Sequence, residues 1–123
     1  MAMPLLVSVV DDDESVRESL PDLLRELGFA ARAFSSAQEF LASESVGNTR
    51  CLILDVAMPG MSGPDLQREL ALRRQGIPIV FITAQPDDAL RPRLLASGAV
   101  ECLFKPFSDM ALCEALHTAL RLR

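Results

Sequence analysis

The run Cys51-Leu52-Ile53-Leu54 is apolar throughout and stops on a carboxylate, Asp55. Four consecutive apolar residues fit a strand covered on both faces, as in a parallel sheet. The turn that follows, Met58-Pro59-Gly60-Met61-Ser62-Gly63, is rich in Pro and Gly, and Pro64 suits the first position of a helix. An acidic residue at the C-terminal end of a buried strand lies where open α/β sheets keep their ligands. Asp55 is therefore the candidate reacting residue.

The same punctuation recurs along the chain. Leu5–Val10 predicts a first, interior strand that ends in Asp11-Asp12-Asp13-Glu14. Helical spacing of Val16, Leu20, Leu23, Leu24 and Leu27 follows, with Gly28 as the stop and Asp13 as the cap. Pro21 removes a donor inside that helix, so a distortion on its exposed face is expected. Phe29–Phe34 is partly polar and suits an edge strand, and Ser36-Ala37-Gln38-Glu39 has capping-box spacing before Phe40 and Leu41. Val46–Arg50 reads as a loop, and a helix through Leu66 and Leu70 extends to about Arg74.

Ile77–Ile82 predicts a fourth strand ending in Thr83, with Gln85-Pro86-Asp87-Asp88 as the next helix start. Pro92 should break that helix in its second turn, leaving a short, kinked or mobile element up to Gly98. Val100–Phe104 is the fifth strand, followed at once by Lys105-Pro106. Ser108 can cap a last helix whose apolar face carries Leu112, Ala115, Leu116, Ala119 and Leu120. Five βα units call for a parallel sheet with right-handed crossovers and helices on both faces.

At 123 residues the chain makes one domain, and half of its residues are hydrophobic, which argues against disorder. No apolar run reaches membrane-span length, and the start lacks the pattern of a signal peptide. A net charge of −5 without a basic cluster leaves no nucleic-acid footprint in these residues. Three cysteines without metal-site spacing suggest reduced thiols in a cytoplasmic protein: Cys51 and Cys113 as small apolar fillers, Cys102 as filler or redox group. His117, the sole histidine, has no partner in the pattern that suggests a ligand. Lys105 is the only lysine among twelve basic residues, which points to a need for a compact point charge there.

The strand ends deliver Asp11 and Asp12, Asp55, Thr83 and Lys105 to one edge. Three neighbouring carboxylates resist full ionisation without a cation. An all-oxygen cluster suits Mg²⁺ (or Mn²⁺), and Lys105 with the Thr83 hydroxyl can meet phosphoryl oxygens. A carboxylate can then act as nucleophile and form an aspartyl phosphate. Taken singly these residues have ordinary readings: Asp11–Asp13 as capping acids, Asp55 as a turn former, Thr83 as a strand residue.

Taken together, Val9-Val10-Asp11-Asp12, Leu54-Asp55 with Met58–Gly63, Ile82-Thr83-Ala84 and Lys105-Pro106-Phe107 resemble the receiver domain of two-component response regulators. The likeness covers essentially the whole chain, 1–123, and is nearest to the FixJ-like group. It implies a flavodoxin-like (βα)5 three-layer sandwich with strand order 2-1-3-4-5. It implies phosphorylation of Asp55 by a sensor histidine kinase, catalysed by the domain itself, which is a signalling module and not an enzyme. Mg²⁺ would be held by Asp12, Asp55 and the Ala57 carbonyl, with Asp11 assisting through water. Lys105 would contact the phosphoryl group ahead of a cis peptide to Pro106, and Thr83 would be the switch hydroxyl.

The group also implies a C-terminal helix-turn-helix effector absent from this chain, through which DNA would be bound in transcription control. A homodimer through the helix 4–strand 5–helix 5 face is the family expectation. One departure is clear. Cys102 stands where many receivers have Tyr or Phe, so a ring-flip relay is excluded, and signalling is expected to use Thr83 and the fourth helix. Two alternatives are a stand-alone receiver without DNA output and a haloacid-dehalogenase-type phosphohydrolase. The latter would use Asp11 in Asp11-Asp12-Asp13-Glu14-Ser15 and leave Asp55 unexplained.

Overall fold

Strands β1 (Leu6–Val10), β2 (Ala30–Phe34), β3 (Thr49–Asp55), β4 (Ile79–Thr83) and β5 (Glu101–Phe104) form one sheet in the order β2-β1-β3-β4-β5. Every neighbouring pair is parallel. Helices α1 (Glu14–Glu26), α2 (Ala37–Leu41), α3 (Gly63–Leu72), α4 (Leu90–Ala96) and α5 (Asp109–Leu120) alternate with the strands. This computed structural model describes residues 3–85 and 87–121, and it is the flavodoxin-like sandwich expected from the sequence. No helix among the described residues is long and apolar enough to cross a membrane.

The strand alternation separates two cores. Val7, Val9, Cys51, Ile53, Val80 and Ile82 face Leu20 and Leu24 of α1 and Leu112 and Leu116 of α5. Val10, Leu52, Leu54, Ile79, Phe81 and Cys102 face the side built by α2, α3 and α4, with Phe40, Leu66, Leu70 and Leu94. Each fully buried Leu, Ile or Phe here is worth about 1.5–3 kcal/mol relative to exposure. The buried polar groups in the sheet are paired: the Ser8 and Thr49 hydroxyls lie 2.7 Å apart, and Thr49 donates to the Ser45 carbonyl at 2.6 Å.

Three prolines behave differently from the sequence expectation. Pro21 is buried, not exposed, and α1 runs through it without interruption. Burial of its ring helps to offset the single lost helical hydrogen bond. Pro64 sits second in α3, after Gly63, because Ser62 caps the helix in a reciprocal capping box with Asp65. Pro92 does not break α4. The helix begins only at Leu90, so Pro92 lies in its first turn, where amide hydrogens have no helical partner to lose. Gln85, Asp87 and Asp88 therefore precede the helix, Asp87 accepting from the Ala89 amide, and Pro86 lies outside the described residues. Part of the expected loop before β3 is a short 3₁₀ turn, Glu44–Gly47.

Candidate functional site

Register explains why two distant aspartates meet. Val9 pairs with Ile53 and Val10 with Leu54 across β1 and β3, so Asp11 and Asp55 leave the sheet side by side. Strands in a sheet are about 4.8 Å apart, which sets the spacing of the two side chains. Asp11 is fully buried, Asp55 is 6 % exposed, and Asp12 is exposed at the rim. Carboxylate oxygens of all three lie within 4.8 Å of one another.

Lys105 reaches in from the end of β5 with its side chain 19 % exposed. Its Nζ donates to Asp11 Oδ2 at 2.8 Å and lies 3.9 Å from Asp55 Oδ1. The other Asp11 oxygen, Oδ1, accepts from the Asp13 amide at 2.9 Å, and the Asp13 side chain caps α1 as the sequence predicts. The peptide between Lys105 and Pro106 is cis, also as expected.

Thr83 is placed at the same sheet edge but makes a different kind of contact. It is buried, its hydroxyl accepts from the Gln85 amide at 3.1 Å, and its carbonyl accepts from the Lys105 amide at 2.8 Å. Ala57 is exposed in the loop after β3. Cys102 is buried in the core on the α2–α4 side, and burial, with Glu101 adding to it against Arg91, raises its thiol pKa. That favours an apolar filler over a redox group. Burial pushes the Cys51 thiol up to about 12, so it too is inert.

Electrostatics in the cluster are strained. Burial, and then the neighbouring charge of Asp11, push the Asp55 carboxyl up to about 7, against the pull of Lys105. Burial alone would lower the Lys105 ammonium, but its hydrogen bond to Asp11 and the charges of Asp11 and Asp55 overcome this and raise it. The donor set fits a hard divalent cation: oxygens only, more negative charge than one lysine balances, and one exposed member that leaves room for water.

Lys105→Met should make the charge imbalance visible. Removing one partner of a buried pair leaves the other uncompensated, and with Lys105 partly exposed the expected loss is about 2 kcal/mol in metal-free buffer. A urea midpoint unchanged from the parent would show that the pair contributes nothing.

Some contributors were not singled out from sequence. Arg17 on α1 donates from Nη1 to the Asp11 carbonyl at 3.0 Å and brings a second cation to the rim. Gly63 packs so tightly that a Cβ there would stand 2.4 Å from the Asp55 carbonyl oxygen. The Ser62–Asp65 capping box was legible as S-x-x-D ahead of an apolar run. His117 does have a partner: Cys113 Sγ lies 3.8 Å from its Nε2. Cys113 is half-buried and is not among the side chains packed against either core, which corrects its expected role as filler.

The response regulator receiver domain family matches residues 7–117. The chain belongs to this family. Among curated relatives, the receiver is 46 % identical over 114 residues to nodulation protein W of Bradyrhizobium diazoefficiens, spanning 93 % of this chain and 50 % of that protein. It is 38 % identical over 120 residues to the transcriptional regulatory protein FixJ of Azorhizobium caulinodans, spanning 98 % of this chain and 57 % of that protein. The receiver spans about half the length of the curated relatives it matches.

Among solved structures, the response regulator StyR superposes with a TM-score of 0.88 at 47 % identity, over 98 % of this chain and 61 % of the other. FixJ-N gives 0.85 at 35 % identity, over 99 % and 98 %. The similarity to FixJ agrees with the group suggested by the sequence motifs.

Proposed function

We propose that this receiver takes a phosphoryl group from a sensor histidine kinase onto Asp55. The observation that carries the reading is the convergence of Asp11, Asp12 and Asp55 within 4.8 Å, with the Lys105 ammonium 3.9 Å from Asp55. In the transfer, an Asp55 oxygen forms a bond to phosphorus as the bond from phosphorus to the donor histidine nitrogen breaks. Hydrolysis of the acyl phosphate returns the carboxylate. Asp12, Asp55 and the Ala57 carbonyl would hold Mg²⁺ or Mn²⁺, with Asp11 helping through water, and the ion supplies neutralisation of phosphoryl charge. Asp11 suits the indirect part because both of its oxygens already accept hydrogen bonds.

Lys105 fixes the position of Asp11 and offers a charge to the phosphoryl oxygens. The Thr83 hydroxyl is the group that would respond, exchanging the Gln85 amide for a phosphoryl oxygen and drawing the start of α4 with it. Cys102 fills the space of the usual aromatic relay. The chain acts as one receiver over 1–123, and the transcriptional regulators among its relatives support an effector domain with DNA-binding output. Pairing of two copies through α4, β5 and α5 is part of the same reading. A hydrolase using Asp11 as nucleophile fits poorly, since that side chain is fully buried and held by Lys105.

The test is intact-mass spectrometry of the chain after acetyl phosphate, with and without Mg²⁺. One phosphoryl group should be gained in Mg²⁺ and none in excess chelator, and borohydride reduction should mark residue 55. A modification at any other residue, or one indifferent to chelation, would overturn the assignment.

A further inference from the structure

We propose that Cys113 and His117 form a bidentate thiolate–imidazole site on α5 for a borderline-soft divalent cation of the zinc class. The two residues are four apart on α5 and therefore share one face. Sγ and Nε2 lie 3.8 Å apart. Bond lengths of about 2.3 Å to sulfur and about 2.0–2.1 Å to nitrogen, at a tetrahedral angle, require about 3.5 Å between the donors. A few tenths of an ångström separate the pair from that bite, within reach of small side-chain rotations.

Three features favour a cation here. His117 is exposed and Cys113 is half-buried, so water can fill the remaining coordination positions. His117 lies in the last turn of α5, where the unpaired carbonyl ends carry partial negative charge. The donor pair is softer than the all-oxygen cluster of Asp11, Asp12 and Asp55, so Mg²⁺ and a zinc-class ion would sort between the two sites by donor type. On binding, the thiol proton passes to solvent and the imidazole binds in its neutral form.

The experiment titrates the full chain with Co²⁺ in excess Mg²⁺ and follows the thiolate-to-cobalt charge-transfer absorption. The parent should show this absorption at one Co²⁺ per chain, and Zn²⁺ should bleach it. Cys113→Ser should abolish it, and His117→Gln should weaken Co²⁺ binding at least about ten-fold, as loss of a direct ligand must exceed typical losses of supporting groups. Asp55→Asn should leave the absorption unchanged, and circular dichroism should show that all variants stay folded. No absorption in the parent overturns the proposal. So does its persistence in Cys113→Ser, or parental affinity in His117→Gln, which would mean a simple thiol or a hydrogen-bonded pair.

Discussion

Asp55→Asn should take up no phosphoryl group from acetyl phosphate and, in metal-free buffer above pH 7, should resist urea better than the parent. The first effect follows from the proposed role of Asp55 as the nucleophile. The second follows from the charge. The Asp55 carboxyl titrates near 7 in the folded chain against 3.8 for an ordinary aspartate, chiefly because it is buried and next to Asp11. The folded state therefore holds a proton that the unfolded state releases at lower pH. Parent stability should fall as pH rises from about 4 to about 7 and then level off. Asparagine carries no such penalty, so the variant should gain on the order of 1–2 kcal/mol above pH 7, less than the full shift implies because Asp11 and Lys105 readjust. Mg²⁺ should raise the urea midpoint of the parent more than that of the variant. Phosphoryl uptake surviving in Asp55→Asn, and lost instead in Asp11→Asn, would transfer the chemistry to Asp11.

Gly63→Ala should damage both the fold and the site. A Cβ at residue 63 would stand 2.4 Å from the Asp55 carbonyl oxygen, 3.0 Å from the Phe81 ring and 3.1 Å from the Val56 Cα. None of these neighbours can swing aside. Asp55 closes β3, Phe81 is fully buried in β4, and Val56 accepts the Gly63 amide at 2.9 Å while its own amide donates to Ile82. The clash must move backbone, so the expected cost is about 3 kcal/mol, the upper end for overpacking. An Asp55 carboxylate displaced by about 1 Å loses on the order of a hundred-fold in phosphorylation rate. Gly76→Ala is the control, since nothing lies within 4 Å of a Cβ there. Equal urea midpoints for the Gly63 and Gly76 variants would sink the steric account.

The sheet and the acidic cluster were legible because both follow from short-range punctuation. An apolar run that stops on a polar residue marks a strand end, and Val10-Asp11, Leu54-Asp55 and Phe104-Lys105 each did so. Parallel topology then gathers those ends. Helix starts were less legible, because a cap depends on where the preceding loop leaves the chain. Pro64 and Pro92 were each placed one way by sequence and another by where the helix begins, after the Ser62 cap for α3 and, without a side-chain cap, at Leu90 for α4. Pro21 was misjudged because exposure is set by packing against β-strands far along the chain. Gly63 was legible only as part of the Pro-Gly turn: its steric constraint is a carbonyl eight residues away, brought close only by the turn. No partner for His117 was legible in the sequence, because the approach of Cys113 to it depends on the side-chain conformations on α5.

The late start of α4 has a mechanical consequence. The amides of Leu90 and Arg91 need no helical acceptor, Pro92 has no amide hydrogen, and Ala89 contributes no side-chain cap. The Leu90 amide donates instead to the Asp87 carbonyl at 3.0 Å, while its side chain packs against the core on the α2–α4 side and Arg91 pairs with Glu101 of β5 at 2.8 Å. Asp87 and Asp88 can therefore shift without opening the ladder of α4, whose acceptors are the carbonyls from Ala89 onward. Next to a five-stranded sheet, this short turn is the joint that can shift at the least cost in backbone hydrogen bonds.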